Sequence, residues 1–227
     1  MMETSQRLET LNFSSKLLTW WDSNGRRFLW RETDDLYAIF LSEILLHRTR
    51  AEQVLPVYVR FIEEFPTLDD LSNAELDLVT HILQPIGLRW RTTLLVKAVK
   101  LMVSKHAGKI PSKMTDLKSL PGVSDYIASA ISCFGYGNPE VLLDTNIVRV
   151  LGRLFNQKVT DSSRRSARFS KLANELLDRT HPKEFNYAMI DLAALICKPR
   201  RPHCDICPVK CCCLFVSSDN SRAQNNK

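Results

Sequence analysis

The sequence contains little glycine and no long apolar run. Seven glycines are spread over 227 residues, and the ten prolines fall mostly between apolar stretches. Apolar runs cover only a handful of residues, so none is long enough for a transmembrane helix. No segment alternates apolar and polar residues between hairpin turns, which argues against a β-sheet protein. The first residues carry Arg7, Glu9 and Lys16 and have no long apolar core, so they predict no secretory signal.

Cysteine is almost absent outside one segment. Six of the seven cysteines lie between residues 197 and 213, and Cys133 is the exception. A disulfide framework would spread its cysteines along the chain to close loops. Six thiols within 17 residues indicate a metal site instead, either tetrahedral zinc or a cubane iron–sulfur cluster.

The overall composition is that of an ordinary folded protein. Apolar residues make up 44% and charged residues 25%, which excludes global disorder. The net charge of +6 favours a polyanionic partner without proving one.

Apolar residues recur at helical spacing along almost the whole chain, so we predict an all-α protein. Ser72 and Glu75 predict a capping box at the start of one helix. The polar segment 217–227 is expected to be a disordered tail. The predicted helices lie at about 7–22, 35–47, 51–65, 73–83, 89–106, 114–119, 124–134, 145–155, 163–179 and 183–196.

Two carboxylates lie in unusual local settings. Asp144 directly precedes an apolar-periodic helix, so capping of that helix is one interpretation of it. Glu43 lies in a helix that is apolar on nearly every side, where desolvation would raise its pKa and suit it to donate a proton. The alternative for Glu43 is a buried carboxylate that backbone or arginine groups satisfy.

The segment Leu120–Tyr126 (LPGVSDY) lies between two short predicted helices. A tight turn containing Gly122 would expose backbone N–H groups at a helix N-terminus, which suits a phosphate, although any helix–helix turn has this pattern.

Three motifs together resemble the endonuclease III family of helix-hairpin-helix DNA glycosylases. They are the spacing Cys197-x6-Cys204-x2-Cys207-x5-Cys213, the turn LPGVS at 120–124 and the segment LLDTNIVRV at 142–150. The turn departs from the family pattern LPGVG, because Ser124 replaces the second glycine and could cap the following helix.

The resemblance implies two all-α lobes with the active site in the cleft between them. Residues 23–136 would form a six-helix barrel domain with the hairpin, and residues 1–22 plus 137–216 an iron–sulfur cluster domain. A [4Fe–4S] cluster would be held by the ligands Cys197, Cys204, Cys207 and Cys213. Cys211 and Cys212 leave the register of the fourth ligand open. Asp144 matches the family's catalytic aspartate.

Position 126 bears on the reaction class that the resemblance implies. Bifunctional members carry a lysine there that forms a Schiff base, whereas this chain has Tyr126, and a phenol cannot form an imine. The expected activity is therefore monofunctional, with hydrolysis of the glycosidic bond that leaves an abasic site. Asp144 would stabilise positive charge on the sugar, and Glu43 would deliver a proton or position water.

The helix that bears Glu43 resembles both MutY-type adenine glycosylases and Mig-type thymine–guanine mismatch glycosylases. LHRT at 46–49, DTN at 144–146, Tyr126 and the short segment after the cysteines favour thymine or uracil opposite guanine. Adenine opposite guanine or oxidised guanine is the alternative, and a non-catalytic DNA-binding protein of the same fold is a further one.

The expected partner is double-stranded DNA with a mismatched or damaged base, bound by a cytoplasmic, nucleoid-associated monomer. Arg48 and Leu88 match intercalating positions of the family, and the target nucleotide would be flipped out of the stack. The other expected DNA-binding residues are His47, Leu120, Gly122, Ser124, Lys198, Arg200 and Arg201.

Overall fold

Helices and turns make up residues 4–87 and 89–216, which are the residues described in this computed structural model, and no strand occurs among them. The all-α prediction is therefore confirmed for the described residues. Within these two ranges no helix is both long and apolar enough to cross a membrane. Leu88 and the tail 217–227, for which we predicted DNA contact and disorder respectively, lie outside the described residues.

The chain divides into two units. The central unit is Arg27–Asn138, and the terminal unit combines Met1–Arg26 with Pro139–Lys227.

In the central unit the core forms around the second helix of the chain. Leu36–Leu46 begins after the N-cap Asp35, whose carboxylate accepts from Tyr37 N, and nine of its eleven residues are buried. This helix packs against two others of the unit, Ala51–Glu64 and Asp125–Tyr136. The helices of the unit are α2 (Leu36–Leu46), α3 (Ala51–Glu64), α4 (Leu68–Ser72), α5 (Leu76–Leu83), α6 (Arg89–Lys105), α7 (Met114–Ser119) and α8 (Asp125–Tyr136).

The terminal unit joins the first helix of the chain to its last third. Asp191 is fully buried, and its carboxylate accepts hydrogen bonds from Trp21 Nε1 (3.1 Å) and from Arg26 Nε (2.7 Å). The cysteine segment follows a π-helical turn, Leu192–Ile196, and contains two short 3-10 turns. The helices are α1 (Thr4–Asn24), α9 (Thr145–Leu154), α10 (Ala167–Leu176) and α11 (Pro182–Asp191).

The predicted capping box at Ser72 and Glu75 is wrong. Glu75 itself is the N-cap of α5, and its side chain makes no capping hydrogen bond. The capping box lies one helix earlier, where Thr67 and Asp70 bond each other's backbone N–H at the start of α4. No separate helix was predicted at α4, because its five residues are too few to show a helical period of apolar side chains.

The helix predicted over 163–179 is shorter than expected at both ends. Ser163 Oγ accepts from Thr160 N (2.9 Å) in a 3-10 turn, so α10 begins only at Ala167. At the other end the Asp178 carboxylate accepts from Thr180 N (2.9 Å) and His181 N (3.0 Å). Such side-chain turns compete with the helical backbone bonds.

Candidate functional site

Glu43 is a buried carboxyl in the central unit. It lies on α2 and is 5% exposed. Burial disfavours the charged form and raises the pKa of Glu43 to about 7, while the positive charge of Arg31 acts in the opposite direction. The desolvation that the sequence suggested is therefore present, and an arginine is nearby as well. Near neutral pH this group can both hold and release a proton.

Tyr126 is the second residue of α8 and packs, half-buried, against the core of the central unit. The helix begins at Asp125 because Ser124 Oγ accepts from Ile127 N (3.3 Å). Ser124, the residue that departs from the family pattern, thus acts as the N-cap.

The turn before α8 requires glycine at position 122. Gly122 has φ +81, and a Cβ there would lie 3.1 Å from Leu94 Cβ. A side chain would be strained by both the backbone and the neighbour. Leu120 is 2% exposed, so its side chain belongs to the core and only its backbone is left for a DNA contact.

Asp144 is the N-cap of α9 in the terminal unit. Its Oδ1 accepts from Asn146 N (2.9 Å) and Ile147 N (2.7 Å), and its Oδ2 accepts from Asn146 Nδ2 (2.8 Å). The prediction that Asp144 caps this helix is therefore confirmed. These three bonds hold the carboxylate in one orientation at the positive end of a helix, where a charge is stabilised.

Arg149 extends this arrangement from Asp144 to the cysteine segment. Its Nη1 donates to Asn146 Oδ1 (2.9 Å), its Nε to the Cys197 carbonyl (3.0 Å) and its Nη2 to the Ala193 carbonyl (3.0 Å). A continuous series of hydrogen bonds therefore joins the Asp144 carboxylate to the backbone of the first cysteine.

Arg153, one turn further along α9, also binds this segment. Its Nη1 donates to the Lys198 carbonyl (2.7 Å) and its Nη2 to the Pro199 carbonyl (2.9 Å). Neither arginine was expected from the sequence as part of the site. They lie four residues apart on a helix with an apolar face, but the backbone carbonyls that they bind lie more than 40 residues away along the chain, so no local pattern indicated these contacts.

Four of the cysteines line one cavity in the terminal unit, and apolar side chains form much of its wall. These four are the predicted ligands Cys197, Cys204, Cys207 and Cys213. Cys211 is exposed instead, and Lys16 Nζ donates to its sulfur (3.1 Å). Among residues 4–87 and 89–216, no group of three or more His, Cys, Asp or Glu side chains has the arrangement of a site for a metal ion.

Two of the thiols in this cavity, those of Cys204 and Cys207, resist ionisation. Burial raises the pKa of Cys207 to about 11, and it raises the pKa of Cys204 as well. The neighbouring cysteines add to both effects, because thiolates repel one another. Ionisation of Cys204 and Cys207 would therefore require a positively charged partner nearby.

The loop between the first two of these cysteines is basic. Arg200 and Arg201 are exposed, Lys198 is half-buried, and Arg201 has a left-handed backbone with φ +51. Exposed guanidinium groups can bind phosphate, so the predicted contacts are sterically possible.

The loop after α2 also presents a cation. His47 ends α2, and its carbonyl oxygen accepts a hydrogen bond from Arg91 Nη1. Arg48 follows with φ +65, and its side chain is exposed.

Comparison with known proteins places these features in context. Residues 41–175 match the family model described as HhH-GPD superfamily base excision DNA repair protein. A thymine-DNA glycosylase of Aeropyrum pernix is 36% identical over 220 residues, which are 94% of this chain and 97% of that protein. An adenine DNA glycosylase of Buchnera aphidicola is 33% identical over 91% of this chain but only 59% of that protein. A solved structure of a thermostable thymine-DNA glycosylase has a TM-score of 0.87 at 29% identity, covering 93% of this chain and 98% of the other.

Proposed function

Because the chain belongs to the HhH-GPD superfamily of base excision DNA repair proteins, we propose that it is a monofunctional DNA glycosylase that removes thymine or uracil mispaired with guanine. The substrate assignment rests on the similarity to a thymine-DNA glycosylase over nearly the full length of both chains. An adenine glycosylase is similar over 91% of this chain, so adenine opposite guanine or oxidised guanine is the second candidate.

Asp144 is proposed to stabilise the transition state. Departure of the base leaves positive charge on the sugar, and a fixed carboxylate stabilises it without reorganisation. The hydrogen bonds from Asn146 and Ile147 provide that fixed orientation. Asn146 is in turn held by Arg149, so both act as positioning residues.

Glu43 is proposed to deliver a proton to the leaving base or to position the attacking water. A carboxyl with a pKa of about 7 is partly protonated at neutral pH, which suits this exchange. Tyr126 has no amine, so we expect no covalent adduct with the sugar at this position.

The four cysteines that line the cavity are proposed to hold a [4Fe–4S] cluster. A cluster would supply the positive iron centres that buried thiolates require and would crosslink the segment. The cavity supports this donor set, because Cys213 lines it and Cys211 does not.

The chain is proposed to bind double-stranded DNA as a monomer. The backbone N–H groups of the turn at Gly122 and Ser124, together with Lys198, Arg200 and Arg201, would contact phosphates. Arg48 and His47 would lie near the mismatch.

A single-turnover assay tests the proposed substrate and reaction class together. Duplexes with T:G, U:G, A:G and adenine opposite oxidised guanine are incubated with excess protein, and a C:G duplex serves as the control. We expect base loss from T:G and U:G, with strand breaks only after alkali and no adduct trapped by borohydride. Faster loss of adenine would favour the second candidate, and efficient trapping would refute the monofunctional assignment.

A further inference from the structure

Trp90 is an exposed aromatic residue at the start of α6. Its side chain is 61% exposed, whereas Trp30 is 2% exposed and Trp20 and Trp21 are half-buried. It lies in the first turn of a helix of 17 residues, where the unpaired backbone N–H groups create positive potential. None of the roles proposed above uses this side chain.

Arg91 holds the indole ring in place. The guanidinium carbon of Arg91 lies 4.8 Å from the centroid of the Trp90 ring. Arg91 itself is only 7% exposed, and its Nη1 donates to the His47 carbonyl. The cation that supports the ring is therefore anchored to the loop after α2, while most of the indole stays accessible. A ring that is already ordered loses little side-chain entropy on binding.

The surroundings of the ring are cationic. Arg48 is exposed. The pKa of Arg91 is lowered mainly by the burial of Arg91 and secondly by the positive charge of Arg48. The guanidinium of Arg91 thus lies against the aromatic ring, and the charge of Arg48 is near enough to act on Arg91. Single-stranded and unstacked nucleic acids bind to this combination, because bases stack on aromatic rings and phosphates attract cations.

We propose that Trp90 is a base-stacking residue, on which an unpaired nucleobase of the bound DNA lies, and that Arg91 positions its ring. This inference rests on the proposed function only in taking DNA as the ligand. Trp90 takes no part in breaking the glycosidic bond.

Equilibrium binding to a non-hydrolysable duplex tests the proposal. The probe carries a tetrahydrofuran abasic-site analogue opposite guanine, so that one base is unpaired and no excision occurs. Trp90→Ala and Trp90→Leu should weaken binding roughly five- to hundredfold, the range that stacking of one base supplies. Trp90→Phe should restore most of the affinity, because it retains an aromatic face. Fully paired DNA should be affected less than about twofold by all three changes, since it offers no unpaired base.

Leu76→Ala is the matched control, because Leu76 is also exposed (44%) and is the first residue of α5. It should leave both affinities unchanged. Unchanged binding of the abasic duplex by Trp90→Ala would overturn the proposal.

Fluorescence gives a second measurement on the wild-type protein. The difference between the wild type and Trp90→Phe isolates the Trp90 emission, and its quenching by acrylamide should fall when the abasic duplex binds. Equal quenching with and without DNA would contradict stacking. Excision is measured in parallel: activity on T:G with no binding defect in Trp90→Ala refutes only this inference. A stacking defect without excision of thymine or uracil refutes only the proposed function.

Discussion

Replacing Glu43 with glutamine should make the protein more stable above neutral pH and less active. Glutamine has nearly the same volume as the glutamate but carries no charge, so it avoids the cost of ionisation in an apolar interior. The same change removes the group that exchanges a proton during excision. Stability and activity are therefore expected to move in opposite directions.

The pKa of Glu43 sets the size of the stability effect. The carboxyl titrates near 4.5 in the unfolded chain and at about 7 in the folded protein. Below pH 4.5 it is protonated in both states, and burial adds no charge penalty. Between these values the unfolded chain ionises first, so stability falls as pH rises, and the full penalty persists above pH 7. Between pH 5 and pH 8 the wild type should lose about 2 to 3 kcal/mol relative to Glu43→Gln.

Urea denaturation of both proteins at pH 5 and pH 8 measures this effect, because the difference between them cancels the titration of all other groups. Glu63→Gln is the control, since Glu63 is exposed on α3. Excision by Glu43→Gln should be slower by about a hundredfold or more, as for other general acids. The same stability difference at both pH values would refute the buried-carboxyl argument, and an undiminished rate would refute the catalytic one.

Three further outcomes are expected. Asp144→Asn keeps much of the N-cap but removes the charge, so single-turnover excision should slow by roughly a hundredfold or more. Affinity for a T:G duplex should stay within about twofold. Near-normal excision would show that Asp144 acts only as a cap. Cys213→Ser should reduce the iron content and the melting temperature, measured by iron assay and circular dichroism, whereas Cys211→Ser should change neither; the opposite ranking would move the fourth ligand. Tyr126→Lys should gain an adduct that borohydride traps, since it places an amine on α8; no adduct at any pH would show that this position does not reach the sugar.

Local features of the site could be predicted from the sequence, and distant ones could not. Ser124 and Asp144 were both expected as possible caps, since capping depends on residues only two or three positions away. The burial of Glu43 followed from its apolar helix. Arg149 had no such local signal, because its carbonyl partners lie 44 and 48 residues further along the chain. The same holds for Trp90, whose exposure depends on how α6 packs.

The order of synthesis also determines when each part of the chain can be buried. Asp191, which binds Trp21 and Arg26, is made about 165 residues after Arg26. At roughly 5–20 residues per second, the ribosome needs about 8 to 33 s to supply it. The central unit can be synthesised during this interval. Phe13 and Leu17 are buried in the folded protein, but the later residues that they pack against have not yet been made. Helix α1 is thus among the last helices to be buried, so chaperones have a long interval in which to bind it.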